Sequence, residues 1–139
     1  MNAAPPDTAH HLEALRLVKE WSQGLVVVQS AAIGVIGALL KQPPTGLQLL
    51  VTILLLLSLV FSIWVGAVGV SGTVPFIAQR LPMLLTQDPH LDIYAQKGGL
   101  TGAGKKALGS SLGDQCVMQS RSFMLSLMLF SLFILLLSL

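Results

Sequence analysis

The chain has 139 residues, 53% of them hydrophobic and only 10% charged, with a formal net charge of +2. A soluble domain carries about 25% charged residues, so the composition excludes an ordinary soluble enzyme and points to a chain that mostly faces lipid. The length leaves room for a few membrane spans but not for an anchor plus a full catalytic domain, and a lone cysteine, Cys116, excludes an internal disulfide.

Residues 1–23 read as a tail followed by an amphipathic helix. The first twenty residues are polar, and the first apolar run starts too late for a cleavable signal peptide. After Pro5-Pro6, Asp7 or Thr8 is expected to cap a helix. Leu12, Leu15, Val18 and Trp21 then recur at helical spacing. Glu13, Arg16, Lys19 and Glu20 take the other face, with Arg16 and Glu20 placed to pair at i,i+4. This helix either lies on the membrane surface or leads straight into the first span, with Trp21 at headgroup level.

Residues 24–72 read as a transmembrane hairpin with spans at 24–40 and 46–70. In the first span, stepping at about 100° per residue gathers Gly24, Ser30, Ala31, Gly34, Gly37 and Ala38 on one face. Small faces let helix backbones approach closely. Gln29 projects to the other side with Ile33, Ile36 and Leu40, and an amide in lipid needs a partner. That partner is the third span, a neighbouring subunit or water in a lumen. Lys41 to Gly46 form a tight turn, since Pro43-Pro44 cannot continue a helix.

The second span, Gly46–Val70, has no charge in 25 residues. As a helix it covers roughly 37 Å, enough for the ~30 Å hydrocarbon core. Residues 47–66 hold fourteen Leu, Ile, Val or Phe, which favour insertion by about 4–8 kcal/mol. Ser58, Ser62, Gly66, Gly69 and Gly72 form a stripe of small residues. It is expected to pack on Ser30, Gly34, Gly37 and Ala38 of the first span, within one chain by default or else between subunits.

Residues 73–121 read as a loop. Its first part, 74–85, is apolar and broken by Pro75 and Pro82, which suits an interfacial segment. The Gly- and Lys-rich part cannot bury a core. Arg80, Lys97, Lys105 and Lys106 are candidates for anionic-lipid contact. Residues 122–139 form an expected third span of roughly 27 Å. The fold class is therefore all-α and integral to the membrane, an amphipathic N-terminal helix plus three transmembrane helices. Seven of the eight basic residues fall on the side of the N-terminus and the loop, and Lys41 alone on the other. The positive-inside rule then puts the N-terminus and loop in the cytoplasm and the C-terminus outside.

Several motifs invite chemistry. Gly99-Leu-Thr-Gly-Ala-Gly104-Lys105-Lys106 matches G-x-x-x-x-G-K but lacks the closing Ser/Thr, and no βαβ pattern surrounds it. It reads as a plain basic loop. Asp88, His90 and Asp92 suit turns and caps better than a metal, and adjacent His10 and His11 point about 100° apart on a helix. The spans carry no ionisable side chain, which argues against a proton-coupled pump. No cofactor, metal, catalytic set or nucleic-acid partner is expected.

Leu15–Ser22 (LRLVKEWS), Ala31–Gly37, Val74–Pro82 (VPFIAQRLP), Ile93-Tyr94 and Gln119–Phe123 (QSRSF) resemble a loose group of small three-span bacterial membrane proteins without assigned activity. The resemblance covers most of the chain, and stretch 97–113 departs from it. It implies architecture only and transfers no site residue; the bacterial inner membrane is the expected location. Two functions follow as expectations. The first is a self-associating protein that forms or gates a pore, with Gln29 in a lumen or polar contact. The second is a non-conducting scaffold or accessory subunit that binds a protein partner through loop 73–121.

Overall fold

In so apolar a chain, backbone N–H and C=O groups find partners inside helices, and every regular element among the described residues is helical. The computed structural model describes residues 6–96 and 111–139. Its elements are α1 (Pro6–Leu39), α2 (Gly46–Trp64), a π-helical segment (Val65–Val70), α3 (Ser71–Gln87), a 3₁₀ turn (Ile93–Ala95) and α4 (Leu112–Ser138). From Gly46 to Gln87 the helix is continuous over 42 residues, a rod about 63 Å long. Three stretches are long and apolar enough to cross a membrane: Thr8–Leu39, Gly46–Gln87 and Leu112–Ser138.

The chain reverses between α1 and α2, where Gly46 takes φ +58°, a conformation that a side chain disfavours. Two apolar clusters then fix the arrangement. Ile36, Val51, Leu55, Leu59 and Phe133 pack at the end near that reversal. Leu15, Val70, Val74, Ile77, Leu81, Ile93 and Leu112 pack at the opposite, charged end. Both α1 and α4 therefore run antiparallel to the central rod and parallel to each other.

The buried positions keep a seven-residue step. In α1 they are Thr8, Leu15, Ser22, Gln29 and Ile36; in α4, Leu112, Gln119, Ser126 and Phe133, with Gln115 buried beside that series. The rod buries Val51, Leu55, Ser58, Ser62, Val65 and Gly69, alternating steps of four and three. Such a repeat keeps one seam facing its partners when helices wind left-handedly around each other.

The π segment shifts that register. The Ser71 N–H donates to the Gly66 carbonyl five residues back, which takes up one extra residue. Beyond it the buried series restarts at Val70, Val74, Ile77 and Leu81. An unbroken series would have turned Gly72, Phe76, Gln79 and Met83 inward; Gln79 and Met83 instead lie exposed.

Several expectations need correction. Helix α1 is one piece, so of the two expected arrangements the N-terminal helix leads directly into the first apolar stretch, and Asp7 and Thr8 lie within the helix rather than capping it. Residues 73–121 are not one loop. The rod carries on through the proposed interfacial segment 74–85, and α4 begins at Leu112 rather than at 122. Pro75 and Pro82 lie inside α3 on its exposed side, so the carbonyls they leave unpaired do not disturb the packed seam. Ser111 caps α4, its Oγ accepting from the Asp114 N–H at 3.3 Å.

The packing between small faces is also corrected. Ser30, Gly34, Gly37 and Ala38 lie on the outside of the bundle, and a Cβ added at Gly34 or Gly37 meets nothing within 4 Å. The stripe on the rod is buried, but it packs elsewhere: a Cβ at Gly66 collides with Nε2 of Gln119 and comes within 2.8 Å of Val26 Cγ2. Gln119 is buried and bonded and Val26 is stiff at χ1, so neither yields freely. We expect Gly66→Ala to lower stability by about 1–3 kcal/mol in a detergent unfolding titration. Gly34→Ala is expected to leave the unfolding midpoint of the isolated chain unchanged.

Candidate functional site

Between the two apolar clusters lies a column of buried amides and hydroxyls. Ser22, Gln29, Ser62, Thr73, Gln115 and Gln119 are each 0% exposed, while apolar side chains such as Met128 are 73% exposed on the outer surface. This is the reverse of a soluble protein, where buried side chains are mostly apolar.

At the charged end, the Thr73 hydroxyl donates to Gln115 Oε1 at 3.1 Å. Further along, the Ser22 hydroxyl donates to Gln119 Oε1 at 2.7 Å, and Gln119 Nε2 donates back to the Ser22 carbonyl at 3.2 Å. That reciprocal pair ties α1 to α4. Ser62 then joins all three helices. Its hydroxyl donates to the Gln119 carbonyl at 3.2 Å and accepts from Gln29 Nε2 at 2.6 Å. Towards the chain reversal, the Ser58 and Ser126 hydroxyls meet at 2.9 Å. Beyond them the column is closed by Ile36, Val51, Leu55 and Phe133.

Gln29 thus points into its own bundle, towards the second apolar stretch rather than the third. Its Oε1 is fully buried and finds no hydrogen-bond partner among the described residues. Of the small residues proposed on the rod, Ser58, Ser62, Gly66 and Gly69 all face this column. Ser30 instead turns outward and donates to the Val26 carbonyl at 2.8 Å. Sequence reasoning missed Ser22, Thr73, Gln115, Gln119 and Ser126. The signal was the repeat itself: Ser22 and Gln29 are seven apart, as are Gln119 and Ser126.

Of the four basic candidates, Arg80 alone lies among the described residues. Arg80 is exposed, its guanidinium carbon 5.2 Å from the Phe76 ring centre. It lies sixteen positions past Trp64 on the same rod, about 24 Å further along. Lys97, Lys105 and Lys106, with the whole Gly99–Lys106 motif, lie outside the described residues. Arg16 pairs with Glu13 at 3.0 Å and with Glu20 at 3.6 Å on an exposed face, contacts that contribute little in water. Asp88 and Asp92 accept from the N–H groups of His90 and Tyr94, each at 3.0 Å, as turn residues do. No group of three metal-ligating side chains occurs among the described residues.

The column contains no nucleophile paired with a base and no ionisable group. What it can do is hold three helices in one register. Comparisons with protein-family models, curated proteins and solved structures return no match.

The bonding pattern ranks the hydroxyls. Ser62→Ala strips the Gln29 amide of its partner and is expected to cost about 1–3 kcal/mol. Ser58→Ala leaves Ser126 bonded to the Ser122 carbonyl at 2.7 Å, and is expected to cost about 0.6 kcal/mol, the usual scale for such contacts in membranes. Adding Gln29→Leu to Ser62→Ala should recover part of the loss, because both polar partners are then gone. Unfolding titrations of the three variants check this order.

Proposed function

We propose that the protein is an integral membrane protein that acts as a non-conducting, self-associating scaffold or accessory subunit, carrying a helical headpiece on its charged side. One observation carries the reading. The polar side chains of the apolar stretches are engaged with each other inside a single chain, and an apolar plug closes the column below them. A pore assembled from several copies would have to use outer surfaces. Those surfaces present apolar side chains with Ser30 and Ser131, whose hydroxyls are already bonded within their own helices.

The membrane placement follows from Trp21, Trp64 and Arg121. Gln119 touches both Ser22 and Ser62, so these three residues lie within about one helical turn of a common level. Both tryptophans are exposed there, as indoles are at headgroup depth. The 19 residues of α2 span about 28 Å from that level to the chain reversal, which matches a hydrocarbon core. On this placement the first turns of α1, the π segment, α3 and the start of α4 stand beyond the bilayer. Arg80 then stands clear of the headgroups, and Arg121 takes the lipid-contact role. The resemblance to small bacterial membrane proteins and the excess of basic residues at this end support an inner-membrane location. The N-terminus and headpiece are then cytoplasmic, and the C-terminus is outside.

Self-association uses the outward face of α1. Ser30, Gly34, Gly37 and Ala38 leave room for a second backbone, the kind of surface through which helices associate in lipid. The headpiece takes over from the expected loop as the surface for a cytoplasmic protein partner.

Two measurements test this. Purified protein in nanodiscs is expected to show a small, single stoichiometry that Gly34→Leu reduces to monomer, and no conductance in planar bilayers. A defined unitary conductance that Gln29→Leu abolishes would restore the pore reading. For topology, in a Cys116→Ser background, Lys41→Cys should react with an impermeant maleimide from outside and Arg80→Cys only from inside.

A further inference from the structure

At the chain reversal the end of α1, the start of α2 and the end of α4 surround an open cleft of about 580 Å³, within the roughly 300–1,000 Å³ range of small-molecule sites. Lys41, Gln42, Thr45 and Gln48 form its polar side, and Leu39 of α1 and Leu137 of α4 stand on its apolar side. None of the four polar side chains makes a hydrogen bond or ion pair with another described residue. We propose that this cleft binds the headgroup of an anionic phospholipid, with the phosphate at Lys41 and the lipid chains running down over Leu39 and Leu137.

Three features select that chemistry. The first is charge. Lys41 is the only ionisable side chain between Glu20 and Arg80 or after Arg121. The nearest acidic residue along α1 is Glu20, nineteen positions before Leu39 and about 28 Å from it. Asp88, Asp92 and Asp114 belong to the opposite end of the bundle. A lysine with no carboxylate beside it calls for an anion, and its ammonium is a common phosphate binder. The second is the set of donors and acceptors. The ammonium and the Thr45 hydroxyl donate to phosphate oxygens, while each glutamine amide offers donors and an acceptor. A phosphate diester whose headgroup carries hydroxyls uses all four side chains. A fatty acid carboxylate, with two oxygens and no hydroxyl, leaves the amides idle. The third is the two-sided wall. Leu137 and Leu40 pack on the apolar cluster of Ile36, Val51 and Phe133, so one side of the cleft is hydrocarbon. A free phosphate ester would leave that side bare, whereas a lipid covers it. The membrane placement proposed above supplies the lipid but none of these three features.

The test is photo-cross-linking on the full chain in an uncharged detergent, so it depends on neither topology nor self-association. The probe is a phosphatidylglycerol with a diazirine on its glycerol headgroup, and cross-linked residues are mapped by peptide mass spectrometry. Cross-links are expected on residues 39–48. Unlabelled phosphatidylglycerol should displace them about fivefold more readily than phosphatidylcholine, the scale of one lysine's attraction to an anionic headgroup. Lys41→Gln should lower them by a similar factor, and Lys41→Arg should keep them. Lys41 is exposed, so neither change threatens the fold. Cross-links confined to the headpiece, equal displacement by the two lipids, or an unchanged signal in Lys41→Gln would overturn the proposal. Equally effective displacement by sn-glycerol 3-phosphate would identify a soluble phosphate ester as the ligand and overturn the lipid assignment. Failure here leaves the scaffold reading standing, and conductance in planar bilayers would leave this site standing.

Discussion

Ser62 carries the interaction on which the rest of this structure depends. One hydroxyl accepts from Gln29 on α1 and donates to the backbone of α4 while standing on the central rod. Apolar side chains pack almost equally well in several registers where the surroundings are as apolar as they are. A hydroxyl between two fixed partners does not. The column from Thr73 to Ser126 therefore sets which turn of each helix lies opposite which, and the apolar clusters at either end fill in around that choice.

Gly66 and the π segment are the backbone's answer to the same demand. Gln119 must approach the rod closely to reach Ser22 and Ser62, and only a residue without Cβ leaves it space. In the same segment, the extra residue taken up between Val65 and Val70 moves the buried face by one position. It brings Val74, Ile77 and Leu81 onto Leu15 and Leu112. A single rod thus meets its two partner helices in the uncharged half and again in the charged half, although its sequence pattern changes phase between them.

This arrangement changes the functional question. Gln29, alone among uncharged neighbours, invites a lumen when read from sequence. In the bundle its Nε2 serves the intramolecular column, and its Oε1 is buried without a hydrogen-bond partner among the described residues. The outward side of α1 is left to small and apolar residues, the surface we propose for self-association. The polar groups hold the monomer together, and the apolar and small ones face whatever surrounds it.

The sequence by itself determined the helical class and the three long apolar stretches, because runs of Leu, Ile and Val without charge leave the backbone no other way to satisfy its polar groups. It also separated the two faces of α1, since periodicity is a local property. Which face turns inward was decided only in three dimensions. Composition suggested that glycine and serine should meet glycine and serine, yet the seven-residue recurrence of Leu15, Ser22, Gln29 and Ile36 set the inner face, and Gly34 and Gly37 turned outward. The continuation of the rod past Pro75 and Pro82 was hidden for a related reason. Proline stops a helix by local rules, but at exposed positions, with the other face of the helix packed on Leu15 and Leu112, the loss is tolerated. Tertiary contacts decided what local preference could not, because the partners of Ser62 lie 33 and 57 residues away in the chain.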